Sequence, residues 1–594
     1  MLGITENNNF ETLSNLPLNK MKPLNIVSMN EYKKLKKDSY ELADKCENGV
    51  IFHAWNWYYK DVINNLREIA EAGFTTIQVS PVQPNKGGNF SRTYDWWQFY
   101  QPIDFTVGNV LGTANDFKEM CKKAKEYGIK IIVDVVTNHL ANNSGKGNHA
   151  KWDRFDKIPH YLKDNDNFWL EESYGAFNNN DYDRVSMTQG AIGMPGLNTK
   201  NIELQDLIID FLNYLQDLGA DGFRFDAAKH IELPTDPVSS EFWPRVTSGI
   251  KSKNSDSFIY GEILNECGTD IKNYTKYIRV TDNIYGWNVI DSVLNCNAAL
   301  AQNYTRNDLP KNLITWVESH DTYAGDYGRK SNNISDLDIK LAWCIVASRA
   351  DTIPLYYVRP TDGLNGTIGG PGNPSWKDPM VSAINKFHNH FAGKNEYIRI
   401  LNNNTIFEIE RGDSGVVIVN LSNNTSFINT QTNLKDGTYK DRISGEKIYV
   451  QNGHLSTEIC GKSVLVIYEI SEIKYDFNLN NTYVSDYEEG YIYAENINNW
   501  NNEVYAYIYS GDKILSYWPG VKMNKISNNN FYLDLPLEWQ NENTQVIFND
   551  GKNNQFPYAF NPGANYKPGT AMVFNGYSID FKPTYIDSME IGCV

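Results

Sequence analysis

Hydrophobic positions along residues 50–358 come in two alternating styles. Short, almost wholly apolar runs are each followed by a stretch with apolar residues at every third or fourth place. Val50-Ile51-Phe52-His53-Ala54-Trp55 reads as a first strand. After it Val62, Ile63, Leu66, Ile69 and Ala70 share one helical face, with Asp61 as the expected cap and Gly73 as the stop. Residues 75–79 form a second strand. Phe117, Met120, Cys121 and Ala124 mark a helix closing at Gly128, and 129–136 is a third, nearly continuous apolar strand. Leu204, Leu207, Ile208, Phe211, Leu212 and Leu215 give a helix ending at Gly219, ahead of a strand from Gly222. Strands at 258–262, 277–280, 313–317 and 353–358 complete a set of eight. Apolar strands alternating with helices imply a parallel sheet covered on both faces. Eight of them fit a (β/α)8 TIM barrel. A doubly wound sheet would need a glycine-rich turn after the first strand. His53-Ala54-Trp55-Asn56-Trp57 is bulky instead.

The pattern changes twice more. The connection at about 139–200 is too long for a structureless loop and predicts a small inserted domain within a catalytic barrel of 46–394. Past 395 the helical period disappears. Runs at 405–409, 415–419 and 463–467 predict an antiparallel β-sandwich over 395–470. A polar linker at 471–487 leads to a second all-β sandwich module at 488–578, with 579–594 as a tail. Residues 1–45 are polar, Lys-rich near 33–37 and without alternation. They are expected to be a poorly ordered or loosely docked extension.

Composition narrows the partners. A formal net charge of −17 argues against nucleic acid, which requires a basic footprint. No apolar run is long enough to span a membrane. The N-terminus lacks the apolar core of a signal peptide. The chain is therefore expected to be secreted if a signal peptide was removed, and cytoplasmic if Met1 is the native start. Seven scattered cysteines without a CxxC read as free thiols. The 38 Tyr and 14 Trp would suit core packing or a sugar-stacking surface equally well.

Chemistry concentrates at predicted strand ends. Strand three runs into Asp134-Val135-Val136-Thr137-Asn138-His139, and strand four carries Arg224, Asp226, Lys229 and His230. Strand five gives Glu262, and strand seven gives Glu318-Ser319-His320-Asp321. In a barrel these ends face one mouth. Taken singly, each has a structural alternative, such as a plain Arg224–Asp226 ion pair. Asp226, Glu262 and Asp321 dominate the set. Acetal cleavage needs one carboxyl to protonate the leaving oxygen and a second carboxylate across the ring. Crowding pushes one carboxyl pKa up, whereas Arg224 beside Asp226 is expected to keep that group ionised. Asp226 is thus the expected nucleophile and Glu262 the acid/base. Asp321, with His139 and His320, would bind sugar hydroxyls.

The segments 134–139, 222–230, 261–264 and 317–321 resemble, in order, the four sequence regions of the α-amylase family, glycoside hydrolase family 13. Residues 73–81 and 96–102 also look like true α-amylases. The extension 229–234 resembles secreted bacilli-type enzymes. The resemblance implies retaining, endo-acting hydrolysis of α-1,4-glucans in starch or glycogen by a monomer. Asp226, Glu262 and Asp321 would be catalytic. Arg224, His139, His320 and Tyr100 would surround the sugar at the cleavage point, with Trp97 and Gln101 nearby and Lys229 on the leaving-group side. It also implies a structural Ca2+ held by the Asn138 side chain and the His230 carbonyl, with Asp183 as carboxylate candidate. Two departures stand out: Gly196 where relatives commonly have Asp, and Ser319 where many have Asn.

The last module has its own signal. Tyr505, Tyr507 and Tyr509 alternate with small or apolar residues along one predicted strand. Residues 518–523 and 546–551 resemble a starch-binding module of carbohydrate-binding family 26. That implies Tyr507, Tyr509 and Trp518 as the platform; an aromatic sandwich core is the alternative. Two other readings of the whole chain remain open: a glucan transglycosylase, debranching or maltogenic relative, and a non-catalytic glucan-binding protein.

Overall fold

The computed structural model describes residues 25–28, 40–144, 153–170, 183–190, 192–264, 269–305, 309–325, 329–469, 482–483, 490–495, 500, 503–527, 530–559, 561–568, 570–583 and 585–588. It divides into two compact units, 37–471 on one side and 1–36 with 472–594 on the other.

Eight parallel strands close a barrel in the first unit: β1 Ile51–Ala54, β2 Thr76–Val79, β3 Lys130–Val135, β4 Gly222–Phe225, β5 Phe258–Gly261, β6 Arg279–Asp282, β7 Leu313–Trp316 and β8 Ile353–Tyr357. Each strand pairs with its sequence neighbour, and β8 closes on β1 through Leu355 opposite Ile51 and Tyr357 opposite His53. Helices fill the connections, and the strands are buried along nearly their whole length. This burial removes the period-two alternation and leaves continuous apolar runs. The register sets Asp134 opposite Arg224, and Arg224 opposite Tyr260. Charge therefore enters the barrel on adjacent strands at one level.

Local chemistry sets the helix ends. The first helix spans Tyr59–Glu71, and Gly73 turns beyond it at φ +80°. Asp61 lies inside its first turn and is not the cap; its carboxylate accepts the Gly370 N–H at 3.0 Å. The helix Ala114–Glu126 opens on a full capping box between Thr113 and Asp116. The described part of the insert is held by isolated bridges, His139 with Gly196 and Trp169 with Leu197, and carries the short helices His160–Lys163 and Arg184–Gln189. A Cβ on Gly196 would come within 2.7 Å of the Leu170 side-chain tip, which would have to shift to admit a larger residue at that departure.

Two four-stranded antiparallel sheets follow. One is ordered Glu396–Leu401, Ile406–Arg411, Gly415–Asn420, Val464–Tyr468. The other is ordered Ser426–Gln431, His454–Ile459, Lys447–Gln451, Gly437–Lys440. Ile406, Val416, Ile418, Ile428, Leu455 and Ile467 fill the space between them. The other face of the first sheet, with Phe407, Ile409, Val417 and Val466, joins the barrel core. Residues from Tyr40 onward are not a loose extension. Glu41 accepts hydrogen bonds from Arg442 and Tyr468, both at 2.9 Å, and Ala43 N–H donates to Thr75. These partners lie far away in sequence, so no local period announces them.

The second unit contains a sandwich. A five-stranded sheet (Asn524–Ser527, Asn530–Asp534, Tyr491–Ala494, Thr570–Phe574, Ile579–Pro583) faces a sheet built on Tyr505–Ser510 and Gln545–Asn549. Ile492, Ala506, Ile508, Phe531, Phe548 and Phe574 form its core. Ile579–Pro583 therefore completes a sheet, although it lies beyond 578 where a tail is expected. The strand Asn25–Ser28 pairs with Tyr585–Ser588, which also pairs with Thr482–Tyr483. The Lys-rich patch at 33–37 lies outside the described residues. Cys46, Cys121, Cys296, Cys344 and Cys460 are free thiols; Cys267 and Cys593 lie outside the described residues.

Candidate active site

Arg224 stands at the centre of the barrel mouth. Its Nη1 donates to Asp134 at 2.7 and 2.8 Å and to Asp226 at 2.8 Å, and Nη2 lies 3.1 Å from Glu262 Oε2. One guanidinium thus joins the ends of β3, β4 and β5. Just after Asp226 the chain enters the left-handed region at Ala227, φ +49°. A residue with a Cβ is rarely found there. The turn lets the Ala227 N–H donate to Glu262 Oε2 at 3.1 Å.

Sequence alone predicts that Arg224 keeps Asp226 ionised. The structure reverses that balance. Burial is the largest influence and raises the Asp226 carboxyl; Arg224 pulls it down, and Glu262 and Asp134 push it up again, to about 8. Burial disfavours the charged form, and one guanidinium shared among three buried carboxylates does not offset it, so the cluster keeps a proton near neutrality.

Histidines and aromatics frame this cluster. Burial pushes His139 down to about 4, so its ring is neutral. Its Nε2 lies 2.9 Å from the Tyr100 carbonyl and must donate to it, because a carbonyl only accepts. Tyr100 donates its hydroxyl to Asp134 at 2.9 Å and stacks on His320, with centroids 5.2 Å apart and planes 5° from parallel. Burial also keeps His320 neutral, well below its usual range. Its Nε2 is 3.5 Å from Asp321. Ser319 caps the helix His320–Ala324 by accepting the Thr322 N–H, a task that suits serine at this second departure.

A cavity of about 470 Å³ opens here, lined by Arg224, Glu262, His320 and Asp321 together with His53, Leu264 and Trp287. The structure thus links Tyr100, His139, Arg224, Asp226, Glu262, His320 and Asp321 in one network. Trp97 is on the 3-10 helix Thr93–Tyr100 and is 42% exposed, while Gln101 follows it, buried. Lys229 is buried just past β4, and its carbonyl accepts the Tyr274 hydroxyl at 2.9 Å. Sequence reasoning gave no role to Asp134, His53, Trp96 or Trp287. Asp134 sits in an apolar strand with nothing local to separate a buried anchor from a catalytic group.

Three family models match the chain: the α-amylase catalytic domain over 58–322, the α-amylase C-terminal all-β domain over 400–468, and starch-binding module 26 over 492–561. The chain belongs to the α-amylase family. The α-amylase of Clostridium acetobutylicum is 38% identical over 439 residues, 73% of this chain and 55% of that one. The α-amylase of Butyrivibrio fibrisolvens is 31% identical over 485 residues, 73% of this chain and 48% of that one. The chain thus spans about half the length of the curated relatives it matches. Among solved structures, α-amylase I of Eisenia fetida superposes with a TM-score of 0.56 at 19% identity, covering 71% of this chain and 97% of that one. A γ-cyclodextrin glucanotransferase of the alkalophilic Bacillus clarkii reaches the same TM-score, 0.56, at 15% identity, covering 89% of this chain and 99% of that one. Both likenesses establish the fold.

Calcium is a general feature of the α-amylase family. Asn138 and His230 are buried past the ends of the neighbouring strands β3 and β4. Burial holds the His230 ring neutral, down to about 3, and its Nδ1 donates to the Met187 carbonyl of the helix Arg184–Gln189 at 2.7 Å. Asp183 caps that helix, accepting the Val185 N–H at 2.9 Å. Oxygen donors of this type fit a hard divalent cation. Carboxylates are scarce here, however: among the described residues no group of three His, Cys, Asp or Glu is arranged to hold a metal ion.

In the module Tyr505, Tyr507 and Tyr509 are turned away from the core, while Ala506 and Ile508 are buried in it. Tyr507 lies 5.5 Å from Trp518 and 5.7 Å from Tyr509, ring centre to ring centre. The Tyr509 hydroxyl accepts the Gly563 N–H at 2.8 Å, which fixes its ring.

Proposed function

We propose that the chain is an endo-acting hydrolase of α-1,4-glucosidic bonds in starch, glycogen and related glucans. It retains the anomeric configuration. The observation that carries this reading is the shared guanidinium: Asp226 and Glu262 both bond Arg224, at the mouth of a barrel that matches the α-amylase catalytic domain. Two carboxylates held so closely suit retention, in which the pair stands about 5–5.5 Å apart and no water must fit between.

Asp226 attacks the anomeric carbon as Glu262 gives its proton to the leaving oxygen. Glu262 then takes a proton from the water that hydrolyses the glycosyl–Asp226 ester. The reactive state therefore has the shared proton on Glu262 and Asp226 ionised. Asp321, His320 and His139 bind the hydroxyls of the reacting sugar, Tyr100 bounds it as a flat wall, and Lys229 meets the leaving-group side. Trp97 and Gln101 extend the cleft. Tyr507, Tyr509 and Trp518 hold starch on the module. A structural calcium, held by the Asn138 side-chain oxygen, the Asp183 carboxylate and the His230 carbonyl, would tie the insert to the barrel. The protein acts as a monomer.

The test compares the parent with Glu262→Gln on soluble starch. New reducing ends should appear with the parent, and the variant should be slower by on the order of 10³-fold. Granular-starch binding by the variant should persist. Near-parental turnover by the variant would remove Glu262 from the acid role. Longer chains formed without new reducing ends would replace hydrolysis by transfer.

A further inference from the structure

The cavity has a wall that the catalytic groups do not account for. On the β5–β6 side it is formed by Leu264, Thr281, Asn283 and Trp287. Thr281 Oγ1 donates to the Ile263 carbonyl at 2.9 Å and accepts the Ile263 N–H at 3.2 Å. This pair of hydrogen bonds ties β6 to Ile263, the residue between Glu262 and Leu264. The helix Asn283–Leu294 starts directly at the end of β6, capped by Asp282, whose carboxylate accepts the Tyr285 N–H at 3.1 Å. A Cβ at Gly286 would collide with the Trp316 carbonyl of β7, so glycine lets the helix lie against that strand. The next residue, Trp287, is thereby set at the mouth.

The indole is also clamped. The Arg329 guanidinium lies 4.2 Å from the Trp287 ring centre. Arg329 is itself held by two bonds to Asp291, one turn along the same helix. A cation over the ring face and a fixed counter-charge restrict the rotation of the indole. A half-buried tryptophan with a guanidinium over its ring, lining the same cavity as the proposed acid, is a ready stacking surface for an apolar pyranose face.

We propose that Trp287 is a specificity residue for the leaving-group side of the glucan, stacking on the glucose units that depart when Glu262 protonates the bond. Leu264 and Trp287 line the same cavity as Glu262, the group that meets the leaving oxygen in the hydrolase reading. Arg329 and Asp291 are positioning residues that act through the indole. This inference rests on the hydrolase reading above.

The test uses two substrates. Maltopentaose fills both sides of the cleft, whereas α-maltotriosyl fluoride carries only fluoride as leaving group. For Trp287→Ala the ratio of kcat/KM on maltopentaose to kcat/KM on the fluoride should fall about tenfold. Trp287→Tyr should restore most of it. Transfer from the fluoride to added maltose should decline in Trp287→Ala in parallel. Equal loss on both substrates, or an unchanged ratio, would overturn the assignment. A parent inert on both substrates would instead overturn the hydrolase reading itself.

Discussion

Arg224 at the barrel mouth is 4% exposed, and Trp518 on the module is 53% exposed. The two regions proposed to meet glucan are made of opposite materials. The mouth buries one guanidinium among three carboxylates, where charges interact strongly and are costly to leave unpaired. The module displays rings on a sheet whose other face is ordinary core. Bond cleavage needs charge fixed in advance where charge will develop. Holding a polymer needs only apolar area. The difference predicts that substitutions at the mouth act through pH and rate, and substitutions on the module through affinity alone.

The largest consequence concerns pH. If the cluster's retained proton is the one used in catalysis, kcat/KM should fall about tenfold per pH unit above pH 8, as that proton is lost. Stability should respond too. The folded Asp226 carboxyl is raised from 3.8 to about 8, so the fold holds a proton that the unfolded chain releases in this range. That contribution is fully present below about pH 4 and is lost as pH rises toward 8. Asp226→Asn should therefore be more stable than the parent at pH 8, by about 1 kcal/mol or more, with the gap closing toward pH 4. Urea unfolding at both pH values checks this. A gap independent of pH would mean that Asp226 is ionised throughout.

The module should behave more simply. Trp518→Ala should weaken granular-starch binding about tenfold, measured by depletion from solution, and far more than it slows turnover of a soluble oligosaccharide. Comparable losses in both would break the separation of the two regions. A smaller effect is expected from metal removal. Excess chelator should lower the melting temperature by a few degrees, roughly 1 kcal/mol of linkage. An unchanged melting temperature would withdraw the calcium proposed at Asn138, Asp183 and His230.

Much of the frame was legible because barrel strands buried on both faces leave apolar runs that polar strand ends interrupt. Residues 134–139, 222–230 and 317–321 show that break directly, and the structure links residues from all three through Arg224, Tyr100 and His320. What could not be read depended on distance in space. Arg224 lies two residues from Asp226, so the sequence pairs it with that carboxylate alone and predicts that Asp226 stays ionised; its sharing with Asp134 and Glu262 exists only once three strands are adjacent. Nothing in the sequence singles out Trp287; Gly286 and Arg329 give it its place only in the fold. Glu41 finds its partners about 400 residues away, at Arg442 and Tyr468.

The central claim is that Asp226 and Glu262, sharing one guanidinium, act as a close nucleophile and acid pair. It is tested most directly by proton NMR of the first products released from a soluble malto-oligosaccharide, before mutarotation. The account predicts that new reducing ends appear first as the α-anomer, because two displacements at one carbon retain configuration. Initial appearance of the β-anomer would require a water between the two carboxyl groups and would contradict it.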